Sequence, residues 1–187
     1  HKNKSEAQSW DQGLAQLGEK ISSMRDEIFV LLEPILTEYA NELLDTDISL
    51  NINRGWSRDA ALLESLSDNI NQDIQYKSTQ VGPHRADIRV SLKMGAAKKH
   101  ISRGQQKLLA CALINASIEL VQSYIDKPIL LLIDDPKAEL DVNSTKKLIK
   151  QVCSLSSQVI ATSIEPDESL FGSRTKLFHV EQINKKA

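Results

Sequence analysis

Several residue types are scarce in this sequence of 187 residues, and each scarcity argues against a class of protein. With only 7 Gly and 5 Pro, the chain does not have the composition of a loop-rich all-β protein. Aromatic residues make up 4%, too few for a surface that stacks the bases of single-stranded nucleic acid. No apolar run is long enough to span a membrane. What remains is typical of a helix-dominated globular protein, with 41% hydrophobic and 26% charged residues.

Charge and cysteine content further restrict the kinds of binding site and the cellular compartment that the sequence predicts. The formal net charge is −2, so any contact with nucleic acid must come from a local patch or a partner. Cys111 and Cys153 form no CxxC pair and lie in apolar stretches, which predicts two buried, reduced thiols and no disulfide or metal site. No stretch of the sequence has the pattern of a signal peptide, so we expect a cytoplasmic location. The first residue is His1, not Met, which suggests a fragment or a tag remnant.

Apolar residues near the start of the chain repeat at alternating spacings of four and three residues. Such a seam is typical of a heptad repeat that needs a partner helix. An ordinary amphipathic helix on a globular core would show the same pattern, so both interpretations stay open. Pro34 predicts a kink or an end of this helix, with a restart towards Leu44. The seam consists of Trp10, Leu14, Leu17, Ile21, Met24, Ile28, Leu31 and Ile35.

The rest of the chain alternates between strand and helix patterns. After residue 102 the order is helix, strand, helix, strand, strand, which predicts an α/β layer with a parallel core. Two of these strands are continuous apolar runs, which predicts burial on both faces. The predicted strands cover 48–53, 78–81, 86–92, 128–134, 158–163 and 176–180, and the predicted helices cover 59–74, 102–124 and 143–155.

Two carboxylates end the apolar run at 129–133. In open α/β sheets, ligands bind beyond the carboxyl ends of the strands. Asp134 is therefore placed to hold a magnesium ion, and Asp135 to polarise an attacking water. The simpler alternative is that both residues only begin a turn before Pro136.

A second motif opens the long helix after Ile101. Ser102 and Gln105 have the spacing of a capping box. Gly104 permits a close backbone approach, and the amides of the first turn can bind a phosphate. Taken alone, the pattern is better explained by a capped helix without a ligand.

In order and spacing, these motifs resemble the C-terminal half of an ABC-type ATPase head, as in the SMC, Rad50 and RecF group. The switch position that follows strand 159–163 has Ser163 as its nearest candidate. The signature motif is matched by Ile101, Ser102, Arg103, Gly104 and Gln105, the Walker B strand by 130–135, and the D-loop by 138–141.

Within that group the chain resembles the RecF family from about Trp10 to Val180. Residues 79–87 resemble the Gly-Pro-His motif of the family, and Arg54-Gly55-Trp56 also matches. The chain departs from the family at Ala138, where Ser is usual, and after Asp141, where the usual Arg is absent. The stretch 82–85 has no role that the sequence alone assigns.

The resemblance implies an α/β fold, the C-terminal half of an ABC-type ATPase head with a parallel-core sheet flanked by helices and an N-terminal helical arm segment. Residues 1–47 would be the returning helix of the arm, and residues 48–187 the head part. No Gly-x-x-x-x-Gly-Lys-Ser/Thr sequence occurs, so the phosphate-cradling loop is missing. We therefore expect a C-terminal portion that is inactive alone.

The resemblance also implies a function, namely a DNA-binding ATPase of recombinational repair and replication restart. An ATP-dependent homodimer would clamp duplex DNA near single-strand gaps, with RecO and RecR as partners and no membrane. The cofactors would be ATP and Mg²⁺, with Asp135 catalytic and Asp134 holding the metal. Alternatives are another SMC-like, Rad50-like or overcoming-lysogenisation-type head, or a non-hydrolysing interaction module. The residues implied to bind the nucleotide are Ser102, Arg103, Gly104, Gln105 and Asp141.

Basic side chains cluster before and within the signature motif. They could form a phosphate-binding patch or a solvated face, and the acidic total does not decide between them. The cluster comprises Lys93, Lys98, Lys99, Arg103 and Lys107.

Overall fold

The computed structural model describes residues 2–155, 157–164, 168–172 and 175–180. The chain divides into two compact units. The first comprises His1–Asn41 and Thr46–Ile101, and the second comprises Glu42–Asp45 and Ser102–Ala187. Among the described residues, no helix combines the length and the apolar content that crossing a membrane requires.

Helix α1 (Lys2–Leu44) is continuous through Pro34, so the predicted end at that residue is wrong. A proline inside a helix removes one hydrogen bond and costs about 3 kcal/mol. Leu32 and Leu36 on either side of Pro34 are buried, at 8% and 2% exposure. Burial of these side chains offsets the lost hydrogen bond, because a fully buried leucine contributes about 1.5–3 kcal/mol.

The heptad seam of α1 is largely exposed, with Leu17 at 63% and Met24 at 54%. Most of this seam therefore does not pack on the core, although Leu14 packs against the cluster of Ala15, Leu62 and Leu66. A different face is buried, on which Ala15 and Ser22 are 6% and 5% exposed. Because one face of α1 is buried while most of the seam is exposed, both interpretations, the ordinary amphipathic helix and the heptad that would need a partner helix, stay predictions.

The first unit contains a three-stranded antiparallel sheet in the order β1-β2-β3. Its strands are β1 (Ile48–Asn53), β2 (Asp87–Leu92) and β3 (Gly95–Ala96), with Ile48 opposite Leu92. The predicted strands at 48–53 and 86–92 are therefore confirmed. Helix α2 (Leu62–Tyr76) follows β1, and short 3₁₀ turns cover Pro83–Arg85 and Ala97–Lys99.

The strand predicted at 78–81 is wrong, because this segment is irregular. The backbone N–H of Gln80 donates to the Asp73 carboxylate over 2.8 Å, so this donor is not available to a sheet. Side-chain acceptors of this kind compete with strand ladders for backbone donors.

The second unit is an α/β layer, as predicted. Helix α3 (Arg103–Gln122) precedes β4 (Ile129–Ile133), and α4 (Val142–Ser154) connects β4 to β5 (Ser157–Ala161). The two strands pair in parallel, which confirms the parallel core. A short helix, α5 (Glu168–Phe171), follows, whereas residues 176–180 form no strand, contrary to prediction.

Strands β4 and β5 each have one half-buried face and one exposed face. Leu130, Leu132 and Ile160 are 52%, 68% and 50% exposed, so the prediction of burial on both faces is wrong. An apolar run alone therefore does not determine how many faces of a strand are covered.

The cysteine prediction holds in part. Both thiols are free, but Cys111 is half-buried and Cys153 is exposed, so the prediction of burial is wrong for Cys153. Desolvation raises the pKa of both thiols above the usual value.

Candidate active site

Helix α3 begins with the capping box that its sequence predicts. The Ser102 hydroxyl oxygen accepts from the Gln105 N–H over 3.2 Å, and the Gln105 side-chain oxygen accepts from the Ser102 N–H over 2.9 Å. Ser102 and Arg103 are exposed. Because the hydroxyl acts here as an acceptor, its own proton is available for donation to a ligand. Capping and ligand contact are therefore compatible in one side chain.

The start of α3 lies against the turn that follows β4. A Cβ added to Gly104 would lie 3.3 Å from the carbonyl oxygen of Glu139, a tight contact with backbone. Three residues later, the Lys107 ammonium donates to the Ala138 carbonyl over 2.7 Å. The structure thus brings the signature-like helix and the D-loop-like turn together.

The two carboxylates of the Walker B-like strand lie at the carboxyl edge of the parallel sheet, beside Thr162. The Thr162 hydroxyl donates to Asp134 over 2.5 Å and accepts from the Asp135 N–H over 3.2 Å. The Thr162 N–H donates to the Ile133 carbonyl over 2.9 Å and extends the ladder by one residue. Asp135 has φ of 40°, in the left-handed region that costs about 1–3 kcal/mol and clusters at functional sites.

Asp134 was expected to hold magnesium. Among the described residues, no three or more His, Cys, Asp and Glu side chains group in a way that could hold a metal ion. This arrangement still fits Mg²⁺, which in nucleotide sites is held by one or two carboxylates together with substrate phosphates and water. Asp134 is exposed, and Thr162 donates to one of its two carboxylate oxygens. The other oxygen is the candidate metal ligand.

Asp141, predicted to contact the nucleotide, caps α4 in this structure. One carboxylate oxygen accepts from the N–H groups of Asn143 and Ser144 over 2.9 and 3.0 Å, and the other accepts from the Ser144 hydroxyl over 2.6 Å. The Ser144 hydroxyl, followed by these backbone donors, lowers the pKa of Asp141 below its usual value. A nucleotide contact by Asp141 stays a prediction.

Thr162 is a site residue that the sequence analysis did not name, and Ser163 at the switch position stays a prediction. The predicted parallel pairing of the two strands could have identified Thr162. In the register of β4 and β5, Ile133 lies opposite Ala161, which brings the residues after each strand to the same edge. The Thr162 hydroxyl, one position after β5, therefore lies beside Asp134 and Asp135, which follow β4.

In an ATPase of the kind that the motifs predict, we expect Thr162→Val to raise the magnesium concentration required for half-maximal hydrolysis by about tenfold, because hydrogen bonds to charged groups contribute about 1.5–3 kcal/mol. Valine keeps the shape and removes the hydroxyl that orients Asp134. The measurement is the magnesium concentration required for half-maximal ATP hydrolysis, with Thr162→Ser as the control that retains the hydroxyl. Equal magnesium requirements in all three proteins would contradict this role.

Two glycine motifs, Arg54-Gly55-Trp56 and residues 82–85, are joined by a hydrogen bond within the first unit. The Gly82 N–H donates to the Gly55 carbonyl over 3.1 Å, and both glycines have positive φ. The Arg25 side chain of α1 donates to the Pro83 carbonyl over 2.6 Å. A Cβ added to Gly18 would lie 3.1 Å from the Pro83 ring. These contacts assign stretch 82–85 a structural role in holding α1.

The basic cluster is partly engaged within the chain. Lys93 pairs with Asp47 at 3.0 Å, and Lys107 donates to the Ala138 carbonyl. Lys107 is thus engaged with the backbone, whereas the Lys93 side chain stays 85% exposed beside Asp47 and faces solvent.

Comparison with known proteins gives sequence relatives along most of the chain, although no protein-family model matches it. The DNA replication and repair protein RecF of Shewanella baltica (strain OS155) is 34% identical over 182 residues, which are 95% of this chain and 51% of the relative. RecF of Coxiella burnetii (strain CbuK_Q154) is 36% identical over 173 residues, 92% of this chain and 48% of the relative. The chain thus spans about half the length of the curated relatives it matches.

Solved structures agree in fold. A structure of the recombination mediator protein RecF-ATPrS in the RecFOR pathway matches with a TM-score of 0.68 and 23% identity, over 88% of this chain and 46% of that chain. An SMC head bound to the C-winged helix domain of ScpA matches with a TM-score of 0.51 and 15% identity, over 89% and 43%. The fold is therefore that of the RecF and SMC head structures, as the motifs implied. Because the sequence similarity to RecF proteins covers nearly the whole chain, this chain belongs to the RecF family of DNA replication and repair proteins.

Proposed function

We propose that this chain supplies the signature helix, Walker B strand and D-loop of a RecF-like, DNA-binding ATPase of recombinational repair and replication restart. One observation supports this proposal, namely the contact between the start of α3 and the turn after β4. The capped start of α3 at Ser102 packs through Gly104 on the turn that follows Asp134 and Asp135. A phosphate-binding helix start and a carboxylate edge are the two parts that such an ATPase needs on this half of its head.

At the carboxylate edge, Asp134 would hold the metal, and Asp135 would orient and polarise the attacking water. Thr162 fixes the orientation of the Asp134 carboxylate by its hydrogen bond. When bound, Mg²⁺ supplies charge neutralisation of the nucleotide phosphates. The left-handed backbone of Asp135 is held by its N–H bond to Thr162, so its carboxylate is positioned before the nucleotide arrives.

The start of α3 would contact the γ-phosphate of ATP held by a second subunit. The contacting residues would be Ser102, Arg103, Gly104 and Gln105. The Ser102 hydroxyl proton and the N-terminal amides of α3 would stabilise charge that develops in the transition state. The sequence has no P-loop, so the rest of the nucleotide would be held by residues outside this chain.

The larger assembly follows from the same proposal. An ATP-closed homodimer would clamp duplex DNA near single-strand gaps, and RecO and RecR would act with it in the cytoplasm. Residues 1–47 would be the returning helix of an arm and residues 48–187 the head part. The exposed heptad seam supports the arm, because it leaves Leu17, Met24 and their neighbours for a partner helix.

The experiment that tests the proposal separates the two halves of the ATPase. We expect the purified chain alone to hydrolyse no ATP, because the phosphate-cradling loop is missing. Mixed with a P-loop-bearing N-terminal half of the Shewanella baltica RecF, it should show magnesium-dependent turnover that duplex DNA stimulates. The Asp135→Asn variant should keep ATP binding and lose about a hundredfold in turnover, since it removes the group that polarises water.

The matched control is the Shewanella baltica RecF divided at the same point and mixed from its own two halves. Turnover by the 187-residue chain alone would contradict the proposal. So would an inactive mixture when the control mixture is active. ATP binding without hydrolysis in the mixture would favour the non-hydrolysing interaction module instead.

A further inference from the structure

Lys107 forms an internal contact that the proposed mechanism does not yet use. It lies near the start of α3 and is half-buried, and its ammonium donates to the Ala138 carbonyl over 2.7 Å. The bond joins residues 31 positions apart in the sequence. Lysine is a flexible, strongly hydrated cation that ordinarily extends into water. Its fixation on one backbone carbonyl therefore indicates a positional role.

The residue it holds is central to the D-loop-like turn. The Ala138 N–H donates to the Asp135 carbonyl over 3.0 Å, while the Ala138 carbonyl accepts from Lys107. Ala138 thus links α3 directly to Asp135. Asp135 and Glu139, on either side of this link, both have positive φ, so the turn is held in a conformation that non-glycine residues seldom adopt.

A second contact fixes the same geometry. Gly104 has no side chain, and its Cα approaches the Glu139 carbonyl so closely that a Cβ would lie 3.3 Å away. Helix α3 is anchored behind these contacts by Leu108 and Ala112, which are 3% and 0% exposed. A displacement of the helix start would therefore be transmitted to the turn through both Gly104 and Lys107.

We propose that Lys107 is a positioning residue that couples the start of α3 to Asp135, and that this coupling connects the two composite sites of the dimer. The inference rests on the proposed function, in which Ser102 reads the nucleotide of one site while Asp135 of the same chain acts in the other. Lys107 is the side chain that joins these two positions within a subunit. ATP binding in one site would then alter the position of Asp135 in the second.

The test uses Lys107→Met, which keeps the length of the side chain and removes the ammonium. Lys107→Arg restores a cationic donor, and Lys146→Met changes an exposed lysine of the same unit as the matched control. Hydrogen exchange on the chain reports the turn, and we expect exchange at residues 138–140 to rise about tenfold in Lys107→Met, because one hydrogen bond to a charged group is lost. In the mixture with the P-loop half, turnover and its Hill coefficient for ATP are measured.

We expect the Lys107→Met mixture to bind ATP normally, to lose about tenfold in turnover and to show a Hill coefficient near one. Lys107→Arg should recover most of both, and Lys146→Met should behave as the parent. An inactive parent mixture would overturn the proposed function and this coupling together. An active parent mixture whose Hill coefficient is already one, or is unchanged in Lys107→Met, would overturn the coupling alone. Loss without recovery in Lys107→Arg would do the same.

Discussion

Ser102→Asp is expected to leave the fold intact and to remove ATP-dependent dimer closure and turnover. Aspartate is as good an N-cap as serine, so helix α3 should keep its start. The new carboxylate would face the γ-phosphate of the partner's nucleotide and would lack the proton that the serine hydroxyl can donate. Loss of one such transition-state donor costs roughly 3 kcal/mol, a factor of about a hundred in rate, and charge repulsion adds to it.

The measurement combines thermal unfolding, ATP binding and turnover in the mixture with the P-loop half. We expect an unchanged unfolding midpoint and unchanged binding with no detectable closure. If Ser102 were only a cap, Ser102→Asp would keep that cap and would leave stability, closure and turnover all unchanged, since an N-cap contributes about 1 kcal/mol to stability whether or not nucleotide is present. Normal closure and turnover in Ser102→Asp would therefore leave Ser102 as a helix cap only.

A heterodimer makes the same test sharper. Pairing a Ser102→Asp subunit with an Asp134→Asn subunit yields one composite site with both defects and one with neither. Partial recovery of turnover is expected, since the intact site combines the Asp134 of one subunit with the Ser102 of the other. If the two residues acted within one subunit, both sites of the heterodimer would be defective and no recovery would occur.

The features that sequence analysis predicted correctly depend on neighbours in the chain. The capping box of Ser102 and Gln105 is set by a spacing of three residues, and the sequence shows it directly. The parallel pairing of β4 and β5 follows from strand, helix and strand in succession, because such crossovers are local units. Asp134 and Asp135 come to the sheet edge because they are the first residues after a strand.

The features that it missed depend on residues far apart. Thr162 lies 28 positions from Asp134, and only the register of two strands identifies it as the partner. Lys107 had two interpretations from composition, and its bond to the Ala138 carbonyl is a tertiary contact. Pro34 predicts an end or a kink of α1 from local rules, but the helix does not end there, and Leu32 and Leu36 on either side are buried. Helix starts can therefore be predicted from neighbouring residues, whereas contacts between distant elements can be identified only once the fold is known.

Gly55→Ala is expected to be the most destabilising single change in the first unit. Gly55 has φ of 95°, a conformation that favours glycine. A Cβ added there would lie 2.1 Å from the Gly82 carbonyl oxygen and 3.0 Å from the Ala86 backbone nitrogen. These neighbours are backbone atoms of the turn that holds α1 and cannot rotate away, so relief requires separation of the two glycine motifs. We expect a loss of about 3 kcal/mol or more in the free energy of unfolding.

Gly13→Ala is the matched control, because it makes the same chemical change where space is free. Gly13 lies inside α1, and no atom comes within 4 Å of an added Cβ. Alanine there should raise the free energy of unfolding by about 0.5–1 kcal/mol, since glycine inside a helix is unfavourable. Urea unfolding of the chain, followed by tryptophan fluorescence, measures both changes, and Trp56 next to Gly55 reports the affected region. If Gly55→Ala unfolded within 1 kcal/mol of the parent, the two glycine motifs would not be locked in the way that their 3.1 Å hydrogen bond indicates.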